Sequence, residues 1–226
     1  MKKIFYWSPH ISNVATIKNV INSAFSLKKF HKEKIDVTII DAIGEWSNYQ
    51  NEFNLKGINY KKISGLQFSK LLPISGFIKS RLLYFIVFIT KIIKLKKLID
   101  DNKPNYLIIH LITFVPLILL ILFKYDTKFI LRISGLPKLN FLRKFLWKNI
   151  AKKIYMVTCP SEQTKKNLLD ANIFSKEKVK VIFDPIINIK NIKSKISKNE
   201  NLIKNKEKYF LNIGRLTKQK NQTLLI

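Results

Sequence analysis

The chain has 226 residues, of which 47% are hydrophobic and 12% aromatic, with only 6 Gly and 7 Pro; this excludes a disordered chain, argues against a loop-rich all-β fold and allows one or two domains. Its formal net charge of +28 calls for an anionic partner or environment: nucleic acid, an anionic membrane or a phosphate-bearing substrate. The single cysteine, Cys159, excludes an internal disulfide framework and fits a reducing compartment.

Residues 2–7 read as a buried first strand; the apolar run is too short for a signal peptide, and no small-residue cleavage site follows. Ser12 can cap a helix whose apolar positions Val14, Ile17, Ile21, Ala24 and Leu27 recur at helical spacing. Residues 34–41 predict a second strand and 58–63 a short third, while 43–64 is otherwise ambiguous. Residues 79–101 predict a long basic amphipathic helix. Pro104 then resets the chain, and 106–110 predict a strand, 114–124 an apolar helix, 128–134 a strand and 139–152 a helix carrying Trp147. Residues 154–159 predict a strand, and Ser161 caps the next helix, with Glu162 in the first turn, where the dipole favours an anion. The last strand of the set is 179–183. The apolar stretches 82–95 and 107–123 are both interrupted and fall short of the ~20 residues of a spanning helix.

This alternation predicts an α/β fold: a Rossmann-like parallel sheet with helices on both faces over residues 1–184. Residues 185–207, rich in Lys, Asn, Ser and Ile without a clear period, predict a solvated linker. Residues 209–213 repeat the buried-strand pattern and 222–226 open a helix, so 208–226 predict the start of a second Rossmann-like domain that this sequence does not finish.

The clearest chemical signal follows that last strand. Gly214 lets the backbone turn sharply beside a ligand, Arg215 can fork onto phosphate oxygens, and Lys220 adds a second cation near a helix start. In so basic a chain, two such cations also have a plain solvated reading.

Residues 209–225, with strand, Gly-Arg-Leu, Lys five positions after Arg, Asn and paired leucines, resemble the opening of the second domain of family 4 glycosyltransferases of GT-B fold. Residues 158–162 and 179–185 resemble the end of that family's first domain, and 131–137, which include Ser134 and Gly135, resemble the strand and loop facing its interdomain cleft. The resemblance implies that Gly214, Arg215 and Lys220 hold the donor diphosphate, and that the parent enzyme moves a sugar from a nucleotide sugar to a lipid-linked or surface-polysaccharide acceptor of a bacterium. It implies no cofactor and no metal. Two departures stand out. The loop after the first strand, Ser8-Pro9-His10-Ile11-Ser12-Asn13, lacks the family's glycines, and the family's paired glutamates lie beyond residue 226. The expectation is therefore a 226-residue chain that is inactive alone.

Other candidates are weaker. Ser8 and His10 occupy the first loop, and His110 ends a predicted strand, where an α/β fold places its ligand crevice, although a satisfied structural histidine competes with that reading. No metal-ligand spacing, Asp-x-Asp pair or Gly-x-Ser-x-Gly elbow occurs. The basic helix at 79–101 could lie on an anionic membrane, which places the protein at the cytoplasmic face of the inner membrane. Of the 42 basic residues only Arg81, Arg132, Arg143 and Arg215 are arginine, which argues against specific nucleic-acid reading. The rival class is a non-enzymatic basic α/β protein that binds membrane or nucleic acid. Codon usage favouring Lys, Ile and Asn would also account for the charge.

Overall fold

The computed structural model describes residues 1–10, 14–31, 34–63, 77–135, 137, 139–185, 189–199, 211–214 and 221–225. The backbone groups into two compact units, Met1–Ile186 and Ile187–Ile226.

In the first unit seven strands form one sheet: β1 (Lys2–Trp7), β2 (Ile35–Asp41), β3 (Asn59–Lys62), β4 (Tyr106–Ile109), β5 (Lys128–Arg132), β6 (Met156–Cys159) and β7 (Val179–Val181). Their order is β3-β2-β1-β4-β5-β6-β7, and every neighbouring pair is parallel. Parallel neighbours need crossovers. These run through α1 (Ala15–His31), α2 (Gln50–Lys56), α3 (Phe77–Asn102), α4 (Phe114–Leu122), α5 (Phe141–Ile150) and α6 (Glu162–Asp170). This is the Rossmann-like α/β architecture that the sequence predicts.

Side chains alternate across the pleat, so each central strand feeds two cores. From β1, Ile4 and Tyr6 join a core with Ile17, Val20 and Ile21 of α1. Phe5 and Trp7 join the other, with Leu95 and Ile99 of α3, Leu117 of α4 and Trp147 of α5. Each such fully buried side chain contributes about 1.5–3 kcal/mol. Two helix starts are fixed by their caps: Asn140 accepts a hydrogen bond from the Arg143 N–H at 2.9 Å, and Ser161 from the Thr164 N–H at 3.2 Å. Cys159 is buried, as its place in an apolar strand predicts.

One ambiguous stretch is resolved, and three expectations need correction. The ambiguous stretch 43–64 contains helix α2, whose one buried side chain is Phe53; a single anchor leaves no periodicity to read. Gly57 ends that helix at φ 63°, a left-handed cap that suits glycine. The linker expected at 185–207 contains a helix, α7 (Ile189–Asn199), whose Ile189, Ile192 and Ile196 recur at helical spacing yet are all exposed. A predominance of Lys and Asn conceals that sparse stripe. The strand expected at 209–213 is absent where described: 211–213 are irregular and exposed, and no described strand of their unit pairs with them. Among the described residues of that unit there is no second strand to pair its N–H and C=O groups. The helix expected from 222 is a short 3-10 turn, Gln222–Leu225. Ser12 lies outside the described residues. Among the described residues, no helix is long and apolar enough to cross a membrane.

Candidate functional site

The strand order reverses between β1 and β4: β1 leads to β2 and β3 on one side, and β4 to β5, β6 and β7 on the other. Doubly wound sheets bind ligands outside the carboxyl ends of the strands at this switch point. Ser8 follows β1 there, and His110 follows β4. Trp7 pairs with Ile109, and the His110 N–H donates to the Trp7 carbonyl at 2.9 Å, so the two chains leave the sheet side by side. The His110 ring stacks on Tyr6 at a centroid separation of 6.0 Å.

Ser8 and His110 are both buried, and neither Ser8 Oγ nor His110 Nδ1 has a hydrogen-bond partner among the described residues. An unpaired buried polar group costs about 1–3 kcal/mol. Two of them, adjacent in register at the switch point, could be satisfied by the hydroxyls of a polar ligand. Burial, and then the charge of Arg132, push the His110 imidazole down to about 3. At neutral pH it is therefore an uncharged hydrogen-bonding group.

His10 takes a different place. Its ring meets the buried Trp46 edge-on at 4.6 Å, and its Nδ1 lies 3.4 Å from the Ser8 carbonyl. Burial is the main cause of its lowered pKa. Trp46 belongs to a loop built on its own carboxylates. Glu45 accepts from the N–H groups of Ala42 and Ile43 at 3.1 and 2.7 Å, and Asp41 accepts from the Gly44 N–H at 2.6 Å and from the Tyr60 hydroxyl. Burial and the neighbouring Asp41 hold the Glu45 carboxyl well above the usual carboxylate range.

Ser134 and Gly135 lie past the end of β5 and are exposed. A Cβ at Gly135 would meet nothing within 4 Å, so space does not demand glycine there. Gly214 is exposed in the second unit, and Arg215 and Lys220 lie outside the described residues.

Three further features escape the sequence reading. Arg132, at the end of β5, is buried and pairs with Asp184 at 2.6 Å. One arginine among so many lysines, ending an apolar strand, is a signal that could have singled it out. Ile112 has φ 45°, a left-handed conformation that is rare for a β-branched residue and costs about 1–3 kcal/mol. The Trp7 indole donates to the Ile112 carbonyl at 3.0 Å and helps to hold the turn. Beside this turn opens a cavity of about 610 Å³, lined among others by Phe85, His110, Ile112, Leu142 and Trp147. That volume and apolar lining suit a small-molecule or lipid segment. No sequence signal announces the cavity, because its walls come from α3, α4 and α5 together. Among the described residues, no group of three or more His, Cys, Asp or Glu stands ready to hold a metal ion.

No protein-family profile matches the sequence, and no curated protein does either. Solved structures do resemble the fold. A glycosyltransferase from Rickettsia africae superposes with a TM-score of 0.58 at 14% identity, over 88% of this chain and 49% of that one. The UDP-GlcNAc 2-epimerase of Neisseria meningitidis, bound to UDP-GlcNAc, gives 0.54 at 16% identity, over 89% and 51%. HepE of Anabaena, in complex with UDP and glucose, gives 0.52 at 10% identity, over 88% and 50%. The chain thus spans about half the length of these structures. At such identities the likeness establishes the fold alone: the chain has the Rossmann-like α/β fold that these glycosyltransferase and epimerase structures share with it over about half their length.

Proposed function

We propose that this chain is part of a family 4-type glycosyltransferase, which moves a sugar from a nucleotide-sugar donor to a lipid-linked or surface-polysaccharide acceptor without a metal. The work would take place at the cytoplasmic face of an anionic membrane. The observation that carries this reading is the pair of buried, unpartnered polar atoms, Ser8 Oγ and His110 Nδ1, on the neighbouring ends of β1 and β4 at the switch point of a GT-B-like sheet. UDP-GlcNAc in the Neisseria epimerase and UDP with glucose in HepE support a nucleotide sugar as the ligand.

The neutral His110 and Ser8 would hydrogen-bond sugar hydroxyls. Arg215 and Lys220 would neutralise the charge that develops on the leaving diphosphate. The cavity beside His110 would take the acceptor. The test joins this chain to the C-terminal half of a related glycosyltransferase and incubates it with labelled UDP-, GDP- and ADP-sugars and a bacterial lipid extract; the 226-residue chain alone should give no product, whereas the joined protein should be active. Sugar should pass to the lipid fraction, and His110→Ala should slow it by about 100-fold, the scale of a lost positioning contact. Absence of any glycolipid product from the joined protein with every donor would sink the reading. Nucleotide-sugar epimerisation is a second reading, favoured by the fold likeness to the Neisseria 2-epimerase. Conversion of UDP-GlcNAc to its 2-epimer without acceptor would select it.

A further inference from the structure

Helix α5 has two apolar faces. Leu146, Trp147 and Ile150 are buried. Phe141, Leu142 and Phe145 point outward and are 81%, 74% and 61% exposed. Single exposed apolar residues are ordinary, but three large ones within five positions form a patch that marks an interaction surface. The patch continues to the cavity. Leu142 lines it together with Phe85 of α3 and Phe114 of α4, and both of those are exposed as well. From Phe85, the exposed Ile89 and Ile93 extend a stripe at intervals of four along α3.

The charge around this apolar surface has one sign. Residues 141–153 include Arg143, Lys144, Lys148, Lys152 and Lys153 and no acid, and residues 77–99 of α3 also contain none. Exposed aromatic and aliphatic side chains among cations match the two halves of an anionic bilayer surface, the acyl boundary and the phosphate layer.

We propose that the outer face of α5, with Phe85 and Phe114 beside it, docks on an anionic bilayer and sets the mouth of the cavity against the lipid. The cavity's role as entry for the lipid part of an acceptor rests on the transferase reading, whereas the docking does not. The surface also differs from the one expected at 79–101. Leu95, Leu98 and Ile99 of that helix are committed to the core, so it contributes only its outward stripe.

An environment-sensitive fluorophore on single introduced cysteines tests the geometry. Cys159 is buried and its thiol is raised by that burial, so labelling goes to the new site. Labels at Phe145→Cys and Phe85→Cys should shift to the blue with phosphatidylglycerol vesicles, and a label at Leu55→Cys, a still more exposed apolar position on α2, should not. The variant Phe141→Ser/Leu142→Ser/Phe145→Ser should keep its melting temperature and lose vesicle binding by about tenfold or more, because the cations and the flanking apolar residues of α3 and α4 remain without the central anchors. Equal shifts at all three labels, or undiminished binding of the triple variant, would overturn the proposal. So would a shift at 145 without one at 85, or a lipid-free dimer that the triple variant dissolves, which would assign the patch to a second copy of the chain. Vesicle docking by a chain that transfers no sugar even when joined to the C-terminal half of a related glycosyltransferase would refute the transferase reading and leave the docking surface standing.

Discussion

The guanidinium of Arg132, at the end of β5, meets the carboxylate of Asp184 at 2.6 Å, across 52 positions of sequence, with the two side chains only 6% and 15% exposed. The pair ties the segment after β7 to the middle of the sheet. The Asn22 side chain adds a second tie, donating to the carbonyl of the following Pro185 at 2.7 Å. Removing one member of a buried pair leaves an uncompensated charge, which costs about 3–5 kcal/mol, whereas replacing both by apolar groups is far less costly. Asp184→Ala should therefore destabilise strongly in urea unfolding, and Arg132→Met with Asp184→Leu should recover most of the loss. A single variant as stable as the wild type would show that the contact contributes nothing.

The start of α5 forms part of the cavity wall and depends on its cap. Asn140 accepts from the Arg143 N–H, and both residues line the cavity. Asn140→Ala should cost about 1 kcal/mol and Asn140→Asp almost nothing, since aspartate caps equally well. Equal losses in thermal unfolding for the two variants would mean that the side chain matters for something other than the cap.

The central strands were legible because they are largely buried apolar runs bounded by caps, Pro104 and polar turns, whereas β3 is mostly exposed. Residues 2–7 coincide with β1, and the Ser161 cap is formed as read. The site was only half legible. Ser8 and His110 were visible as strand-end residues, but their adjacency and missing partners follow from the β1–β4 pairing, which no local pattern encodes. Asp184 entered the sequence reading only as the end of the first domain, and its pairing with Arg132 follows from the fold. Helix α7 was lost in its composition, because three isoleucines among many lysines and asparagines give too weak a stripe.

The Gly214–Arg215–Lys220 motif offers a test between the proposed transferase and a basic binding module. A charge-assisted hydrogen bond contributes about 1.5–3 kcal/mol, so Arg215→Ala should weaken UDP binding by about 10- to 100-fold in calorimetric titration. Arg215→Lys should recover only part of that, because a lysine cannot fork onto two phosphate oxygens. Vesicle binding should not change in either variant. Loss of vesicle binding with no change towards UDP would favour the binding module.

Glu45 should make the fold less stable as the solution becomes more alkaline. Its folded pKa lies well above the ordinary value because of burial and Asp41. The unfolded chain releases this proton near the ordinary carboxylate pKa of about 4.3, while the folded chain keeps it to higher pH. Stability is thus lost as pH rises from there towards the folded pKa. Glu45→Gln cannot accept both N–H groups of Ala42 and Ile43 as the carboxyl does, so at low pH it should be less stable by about 1 kcal/mol. Its deficit should shrink, or reverse, as pH rises; a deficit that is constant with pH would contradict the raised carboxyl.

His110 should give the opposite slope. Its imidazole is pushed down to about 3 by burial and by Arg132. Above pH ~6.5 neither the folded nor the unfolded chain binds its proton, and the group has no effect on stability through protonation. Below that, the unfolded chain gains a proton that the folded one refuses. Stability then falls by about 1.4 kcal/mol for each pH unit until the folded pKa is reached. His10 is shifted in the same direction, also chiefly by burial, and other groups titrate in this range, so the absolute profile is a mixture. The difference between wild type and His110→Gln isolates the one imidazole. Glutamine keeps a neutral polar side chain at the switch point and removes the titration. The variant should therefore gain on the wild type steadily as pH is lowered from 6.5 to 4, measured as the difference in unfolding free energy at each pH. On the proposed transferase reading, the same variant should still lose activity in the transfer assay at pH 7.5, because a neutral hydrogen-bonding ring, not a charge, would position the sugar. A stability difference that does not change with pH would mean that His110 is protonated as readily as in water, and the buried, uncharged imidazole at the centre of the candidate site would have to be abandoned.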